Sequence, residues 1–149
     1  MFLGMRLTAN TLVIGATLVC TITATTYATH TADAIQTAAR WTIPATAAEE
    51  KNPLPMNAAT LAGGKRLYDQ QCLNCHGATG KGDGPDADKK YADTMDLTQA
   101  ARAARNSDGQ VFYKIWNGRL NPKMPAQSAD MTRDQVWAVV AYVQSLRQK

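Results

Sequence analysis

The sequence predicts a small all-α domain. Its 149 residues are the usual length of one domain. Apolar residues recur at helical spacing in three segments, each opened by a residue type that caps helices, and no segment alternates apolar and polar residues as a half-buried strand does. Large apolar side chains are sparse, since Leu, Ile, Val and Phe make up 16 of the 121 residues after position 28. Folds with so small a core usually depend on a disulfide, a metal or a cofactor.

The charge of the chain argues against nucleic-acid binding. The formal net charge is +4 at pH 7. The basic residues form no stripe interleaved with aromatic side chains, which is the pattern of nucleic-acid-binding surfaces.

Residues 1–28 have the organisation of a secretory signal peptide. Arg6 precedes an uncharged apolar stretch, and small residues follow up to Ala28, after which we place the cleavage site. The uncharged run 7–30 is nearly long enough to cross a bilayer, so a retained anchor is the alternative, although its many threonines make it a poor one. Cleavage would also remove Cys20 and leave two cysteines. The mature protein is therefore expected in the periplasm.

Residues 29–56 are predicted to form an extended arm that precedes the compact domain. The segment is rich in Ala and Thr, and a short helix over 31–39 would end before Pro44. Trp41 is its largest apolar side chain. It either tethers the arm to the domain or docks on a partner. The compact domain is then expected over 57–149.

Helix signals recur through the predicted domain. Asn57 is an N-cap residue type, and two Ser/Thr-x-x-Gln capping boxes follow, Ser107 with Gln110 and Thr132 with Gln135. An alanine-rich stretch adds one short helix. The predicted helices cover 57–71, 97–104, 107–117 and 133–147.

The motif Cys72-Leu73-Asn74-Cys75-His76 carries the chemistry. Two thiols separated by two residues can add to the two vinyl groups on one edge of a porphyrin, and the next residue then supplies an imidazole to the iron. The motif therefore predicts one covalently attached haem c. The large apolar body of a haem would also compensate for the sparse core.

Two other kinds of site also use a Cys-x-x-Cys pair, a structural zinc site and a redox-active dithiol, and both fit this sequence less well. A structural zinc site needs two further ligands, and after signal cleavage the chain offers only His30, on the arm. A disulfide oxidoreductase would place the pair after a strand in a βαβ unit, and the sequence has no such pattern.

Other features accompany the haem motif: Gly64, Tyr68, the glycine-rich run 77–85, Asn117-Gly118, Met124-Pro125-Ala126 and the run 140–143. Together they resemble the class I bacterial cytochromes c. The resemblance covers about residues 57–149 and implies a cytochrome c fold of three to five helices around one haem. In that family the first and last helices cross at a glycine beside an aromatic residue, which Gly64 and Tyr142 match. A proline carbonyl accepts the Nδ1–H of the haem-binding histidine, and Pro85 matches that proline.

Met124 is predicted to be the sixth iron ligand. It lies 48 residues beyond His76, far enough for the chain to reach the opposite face of a haem. Pro122 and Pro125 restrict the backbone on both sides of it and disfavour a helix there. The other candidates are placed less well: Met95 follows His76 too closely, Met131 opens the last helix, and Met56 and His30 lie on or beside the arm.

A haem with both axial positions filled predicts a one-electron carrier between redox proteins, with no small-molecule substrate and no catalytic residues. The first alternative is the cytochrome subunit of a specific periplasmic dehydrogenase, held by the Trp41 arm. The second is a haem peroxidase or gas sensor with an open sixth position. Lys81, Arg119 and Lys123 either surround the exposed haem edge or are ordinary solvated side chains. Trp116 either touches the haem or packs in the core.

Overall fold

Three long helices form the scaffold. A computed structural model describes residues 41–103 and 105–147. Within these ranges the chain has α-helices, one 3-10 helix (Lys89–Tyr91) and two isolated bridges but no strand, so the all-α prediction is confirmed. The described part has seven α-helices rather than three to five, because four of them contain only four or five residues. They are α1 (Ala45–Glu49), α2 (Ala58–Gln71), α3 (Leu73–His76), α4 (Ala92–Met95), α5 (Ala100–Ala103), α6 (Asp108–Asn117) and α7 (Arg133–Leu146).

The long helices begin at the predicted caps. The Asn57 side chain accepts a hydrogen bond from the Thr60 amide at 2.9 Å. Both capping boxes form, with the N-cap hydroxyls of Ser107 and Thr132 accepting from the backbone three residues later. Each of these bonds spans three residues, so short-range sequence determines where the helix starts.

The short helix predicted over 97–104 is shorter in the structure, where α5 covers only Ala100–Ala103. The preceding residues form a turn instead, because the Asp96 carboxylate accepts hydrogen bonds from the backbone amide and the hydroxyl of Thr98, at 2.8 and 2.7 Å. Such local bonds from an aspartate compete with helix formation.

The core lies where α2, α6 and α7 meet. Helices α2 and α7 cross at Gly64, where a Cβ atom would overlap the backbone carbonyl of Ala138 and press on Tyr142. The predicted crossing at a glycine beside an aromatic residue is therefore confirmed. The cluster of buried side chains consists of Tyr68, Val111, Phe112, Ile115, Met131, Val136, Trp137, Val139, Val140 and Val143.

Gly64→Ala is expected to destabilise the protein by about 1–3 kcal/mol, because the added methyl group forces α2 away from α7. This is the net loss, after the roughly 1 kcal/mol that alanine gains over glycine in a helix. Gly63→Ala is the matched control, since its Cβ would meet only the end of the Arg66 side chain, at 3.9 Å. Urea unfolding should therefore show opposite signs for the two neighbouring variants. Equal stabilisation by both would contradict the close helix crossing.

Residues 41–56, called the strap below, are not an extended arm, which corrects the predicted domain boundary. The compact unit runs from Trp41 to Lys149. Pro44 is the N-cap of α1, and its fixed φ suits a helix start. The Ser107 hydroxyl donates to the carbonyl of Ala48 on α1 at 2.8 Å, and Asn52 donates to Trp137 of α7 at 2.9 Å.

The remaining N-terminal predictions lie outside the described residues. These are the signal peptide over 1–28, the short helix over 31–39 and the position of His30. Among the helices that the structure describes, none is long and apolar enough to cross a membrane.

Candidate functional site

The motif at 72–76 occupies a single turn that continues from α2. Cys72 ends α2, where its amide donates to Tyr68 at 2.8 Å, and α3 begins at the next residue. The His76 amide donates to the Cys72 carbonyl at 2.9 Å, which closes one helical turn over the motif. Cys72 and Cys75 are both free thiols and both partly buried. The long helix α2 therefore positions both thiols and the imidazole together.

The imidazole of His76 is held in one tautomer. Its Nδ1 lies 2.8 Å from the carbonyl oxygen of Met95, and a carbonyl can only accept, so Nδ1 carries the proton. Burial lowers the pKa of His76, and the bond to Met95 only partly opposes this. The side chain is therefore a neutral imidazole whose Nε2 lone pair is available to a metal. A hydrogen bond from the other ring nitrogen, as from Nδ1 to Met95 here, commonly orients metal-binding histidines.

The predicted hydrogen bond from His76 to the Pro85 carbonyl is wrong, because Met95 takes that position. Pro85 is exposed and begins a turn on the outside of α3, where the Asp86 amide donates to Asn74 at 2.8 Å. The chain returns to the imidazole ten residues later.

Two backbone contacts bring Met95 back to His76. The Leu97 amide donates to Gly80 at 2.6 Å, and Lys81 forms an isolated antiparallel bridge with Asp96. Both contacts join the loop that follows His76 to the residues that follow α4. Sequence spacing gave no sign of this pairing.

Tyr68 supports the same loop, a role that the sequence analysis missed. Its side chain is fully buried in the core, and its hydroxyl donates to the carbonyl of Gly77 at 2.7 Å. Burial raises the pKa of Tyr68, so it stays a donor at neutral pH. Gly77 directly follows His76, so this bond connects the core to the motif. The signal that could have revealed it is a tyrosine one helical turn before Cys72.

Tyr68→Phe is expected to cost about 1–3 kcal/mol, because the Gly77 carbonyl loses its partner in a buried position. Tyr142→Phe is the control, since Tyr142 is half-buried and packs edge-on against Tyr68 with 5.1 Å between the ring centroids. The control should change stability by less than about 0.5 kcal/mol. Thermal unfolding followed by circular dichroism measures both, and equal effects would contradict the role of the Tyr68 hydroxyl.

The Cys72 environment does not suit a redox-active dithiol. Burial, followed by the neighbouring Cys75, raises the pKa of the Cys72 thiol to about 12. Redox-active Cys-x-x-Cys pairs have lowered thiol pKa values, which is the opposite of the shift at Cys72. A zinc site is equally unsupported, since no cluster of three or more His, Cys, Asp or Glu side chains that could hold a metal occurs in the described ranges.

Met124 lies in a tight hairpin and is half-buried. Its amide donates to the carbonyl of Arg119 at 2.9 Å, and the Arg119 amide donates back at 2.8 Å. The side chain packs against the edge of the core cluster. A backbone paired in both directions holds this side chain in place at low entropic cost.

The other described methionines have different surroundings. Met131 is 6% exposed and belongs to the core cluster. Met56, the last residue of the strap, is 53% exposed. Met95 is attached through its own carbonyl to the Nδ1 side of His76. Met124 is thus the half-buried methionine that is not already attached to His76.

Trp116 packs beside the core. Its ring stacks on Phe112 with 5.6 Å between the centroids, and the guanidinium of Arg133 lies over both rings. These contacts support core packing, rather than contact with the haem, as the role of Trp116.

The residues present fit a covalently bound haem. Two free thiols and a neutral imidazole on one turn form the donor set that the cofactor needs, and Met95 orients the imidazole. Several side chains at the edge of the core keep part of their apolar surface uncovered, which a porphyrin could cover. They include Leu67, Cys72, Leu97 and Met124.

The chain matches the family model described as Cytochrome c over residues 61–147, which is 87 of its 149 residues. This chain therefore belongs to the cytochrome c family, whose members bind haem c covalently and whose domain is typical of electron-transfer proteins. A single matching domain is consistent with one haem, and Cys72, Cys75 and His76 would hold it. The strap lies outside the match.

Proposed function

We propose that this chain is an exported, single-haem electron carrier of the class I bacterial type. Cys72 and Cys75 hold the haem by thioethers, His76 binds one face of the iron through Nε2, and Met124 binds the other. The observation that carries the proposal is the Met124 hairpin, because a filled sixth position separates an electron carrier from a haem enzyme.

Elimination supports Met124 over the other methionines of the described chain. The Met95 backbone lies on the Nδ1 side of His76, so its thioether would have to pass around the porphyrin to reach the opposite face. Met131 would have to leave the core, and Met56 lies exposed at the end of the strap. Met124 needs neither move.

The residues around the cofactor then perform a simple task. When bound, the haem supplies a one-electron couple, and His/Met ligation favours a relatively high reduction potential. Met95 keeps the His76 tautomer fixed, and the paired backbone of residues 119 and 124 keeps the thioether in place. Because the same ligands serve both oxidation states, the chain needs little rearrangement when an electron arrives or leaves. No position remains for a substrate.

The tip of the Met124 hairpin is suited to brief contact with a redox partner. Leu120 is 93% exposed, which is more than Met56, the other exposed large apolar side chain of the described ranges. Lys123 lies exposed in the same hairpin. An apolar tip flanked by positive charge favours fast, charge-steered encounters with an acidic redox protein.

The alternative of a dehydrogenase subunit held by Trp41 has less support. Trp41 is half-buried and engaged within its own chain, with the Arg119 guanidinium 4.6 Å and the Lys114 ammonium 5.8 Å from its ring centroid. A docking arm would instead present this ring to the partner. Co-purification of a stable partner with the exported protein would favour the alternative.

Export through a signal peptide ending near Ala28 is part of the proposal. The sequence of residues 1–28 supports it, and haem attachment outside the cytoplasm requires it. Mass spectrometry of the protein recovered from the periplasm should give the mass of residues 29–149 plus one haem. A full-length mass in the membrane fraction would instead indicate a retained anchor.

Carbon monoxide binding tests the proposed function against an open-site haem protein. The reduced protein should bind carbon monoxide slowly and weakly, because Met124 must first leave the iron. Rapid, tight binding to the wild-type protein would favour the peroxidase or gas-sensor alternative.

A further inference from the structure

The strap runs along α6 from one end of that helix to the other. At the start of α6, the Ser107 hydroxyl donates to the carbonyl of Ala48 at 2.8 Å. At the opposite end, the centroid of the Trp41 ring lies 5.8 Å from the ammonium of Lys114, in the last turn of α6. The strap and α6 therefore run antiparallel, and the strap begins beside the hairpin of residues 119–124.

The second half of the strap is attached to the core. Glu50 forms an ion pair with Arg133 at 2.7 Å, and the Asn52 side chain donates to the carbonyl of Trp137 at 2.9 Å. Leu54 packs against the core cluster. These contacts join the strap to α7 as well as to α6, so the strap can hold in place whatever its first residue contacts.

That first residue, Trp41, contacts the residue that closes the Met124 hairpin. The guanidinium of Arg119 lies 4.6 Å from the centroid of the Trp41 ring, within cation–π range, and an indole face is the best aromatic surface for a cation. The same Arg119 side chain donates from Nε to the carbonyl of Pro122 at 3.0 Å. Its backbone is paired with Met124 in both directions, at 2.8 and 2.9 Å. Arg119 therefore connects the strap to the hairpin.

We propose that Trp41 is a positioning residue for the sixth iron ligand, because it holds Arg119 and thereby keeps the Met124 hairpin in place. This inference rests on the proposed function, in which Met124 binds the iron. Because Met124 and Arg119 are paired through their backbones, the hairpin moves away from the iron as a unit, and that movement separates Arg119 from the Trp41 ring. The cation–π contact therefore adds to the free energy needed to open the sixth position.

The strap precedes the residues that match the cytochrome c family model, 61–147, so this contact is an addition to that domain. It keeps small ligands away from the iron, because such a ligand binds only after Met124 has left. The rate at which a small ligand binds therefore reports how often the hairpin opens. A neutral replacement of Trp41 leaves the charges around the haem unchanged, so it should alter this rate far more than the reduction potential.

The test compares Trp41→Leu with Trp41→Phe in the exported, haem-loaded protein. Leucine keeps an apolar side chain without a ring, whereas phenylalanine keeps a ring face for Arg119. At saturating imidazole, the rate of imidazole binding to the oxidised protein equals the rate at which Met124 leaves. This rate should be roughly tenfold faster in Trp41→Leu and within about threefold of wild type in Trp41→Phe, as expected for loss and retention of a cation–π contact. A wild-type rate in Trp41→Leu, or equal acceleration in both variants, would overturn the proposal.

Leu54→Ala is the control for a general loss of stability. Leu54 packs against the core cluster in the other half of the strap, so its truncation removes apolar contacts and leaves Trp41 in place. Urea unfolding should show a less stable protein, while the rate of imidazole binding and the reduction potential stay at their wild-type values. Imidazole rates that simply follow the urea stability of all three variants would indicate a merely structural role of Trp41 and would overturn the proposal.

Hydrogen exchange separates this inference from the ligation of Met124. The amides of Arg119 and Met124 donate across the hairpin, so both should exchange faster in Trp41→Leu, while the amides of α7 keep their wild-type protection. The near-infrared band of the iron–thioether bond should be present in the wild-type protein and in both Trp41 variants. An absent band in the wild-type protein would overturn the proposed function, whereas unchanged exchange beside an intact band would overturn this inference alone.

Discussion

Replacing Met124 with alanine is expected to lower the reduction potential by on the order of 0.2 V, a fraction of the roughly 0.8 V range that axial ligands of haem produce. The thioether sulfur is a soft, weak donor that favours the reduced iron, whereas water or hydroxide is a harder donor that favours the oxidised iron, so loss of Met124 favours the oxidised state. The weak near-infrared absorption of the iron–thioether bond should vanish. Small ligands such as imidazole and azide should then bind readily.

Met95→Leu is the matched control for this experiment. It conserves volume and leaves the Met95 carbonyl on His76, while it removes the nearest competing thioether. The control should keep the near-infrared band and a potential close to wild type. Persistence of the band in Met124→Ala, or its loss in Met95→Leu, would contradict the proposed ligand.

The double variant Cys72→Ala/Cys75→Ala is expected to lose the haem and most of its folded structure. Within the described ranges the core cluster has ten buried side chains, and several side chains at its edge lack cover without a porphyrin. Without so large an apolar body, we expect the remaining core to be too small to give the free energy of unfolding of about 5–15 kcal/mol that is typical of a small domain. Far-ultraviolet circular dichroism should show weak helicity and no cooperative thermal transition.

Cys20→Ala provides the control for the double variant. Cys20 lies inside the proposed signal peptide, so the mature control protein should have the wild-type mass, one haem and a normal transition. A cooperative transition near the wild-type temperature in the haem-free double variant would contradict the view that the cofactor completes the core.

Features set by residues close in sequence were predictable. The caps at Asn57, Ser107 and Thr132 use partners three residues away, so a short window contains both halves of each bond. The thiols and imidazole of the motif are also contiguous, and one helical turn brings them together. The crossing at Gly64 was predictable from the resemblance, because the glycine and the aromatic residue that meet there in the family both have counterparts in this sequence.

Features set by distant contacts were not predictable in the same way. The partner of His76 is 19 residues away, and its identity depends on how the loop over 77–94 folds back, so assigning Pro85 by resemblance failed. The strap looked extended because its composition is poor in large apolar side chains. Its structure depends on long-range contacts: its backbone lies against Ser107 and Gly109 at the start of α6, and its Asn52 side chain donates to Trp137 of α7. None of these contacts leaves a periodic pattern in the sequence.

The optical spectrum of the purified exported protein, recorded oxidised and reduced, tests the central claim most directly. We expect the narrow reduced bands of a six-coordinate haem c that resists extraction by acid-acetone, at one haem per chain, with the weak near-infrared thioether band in the oxidised form. A mature protein without haem would contradict both the site and the function. A covalently bound haem without the thioether band, binding carbon monoxide rapidly when reduced, would contradict the electron-carrier proposal and favour an open sixth position.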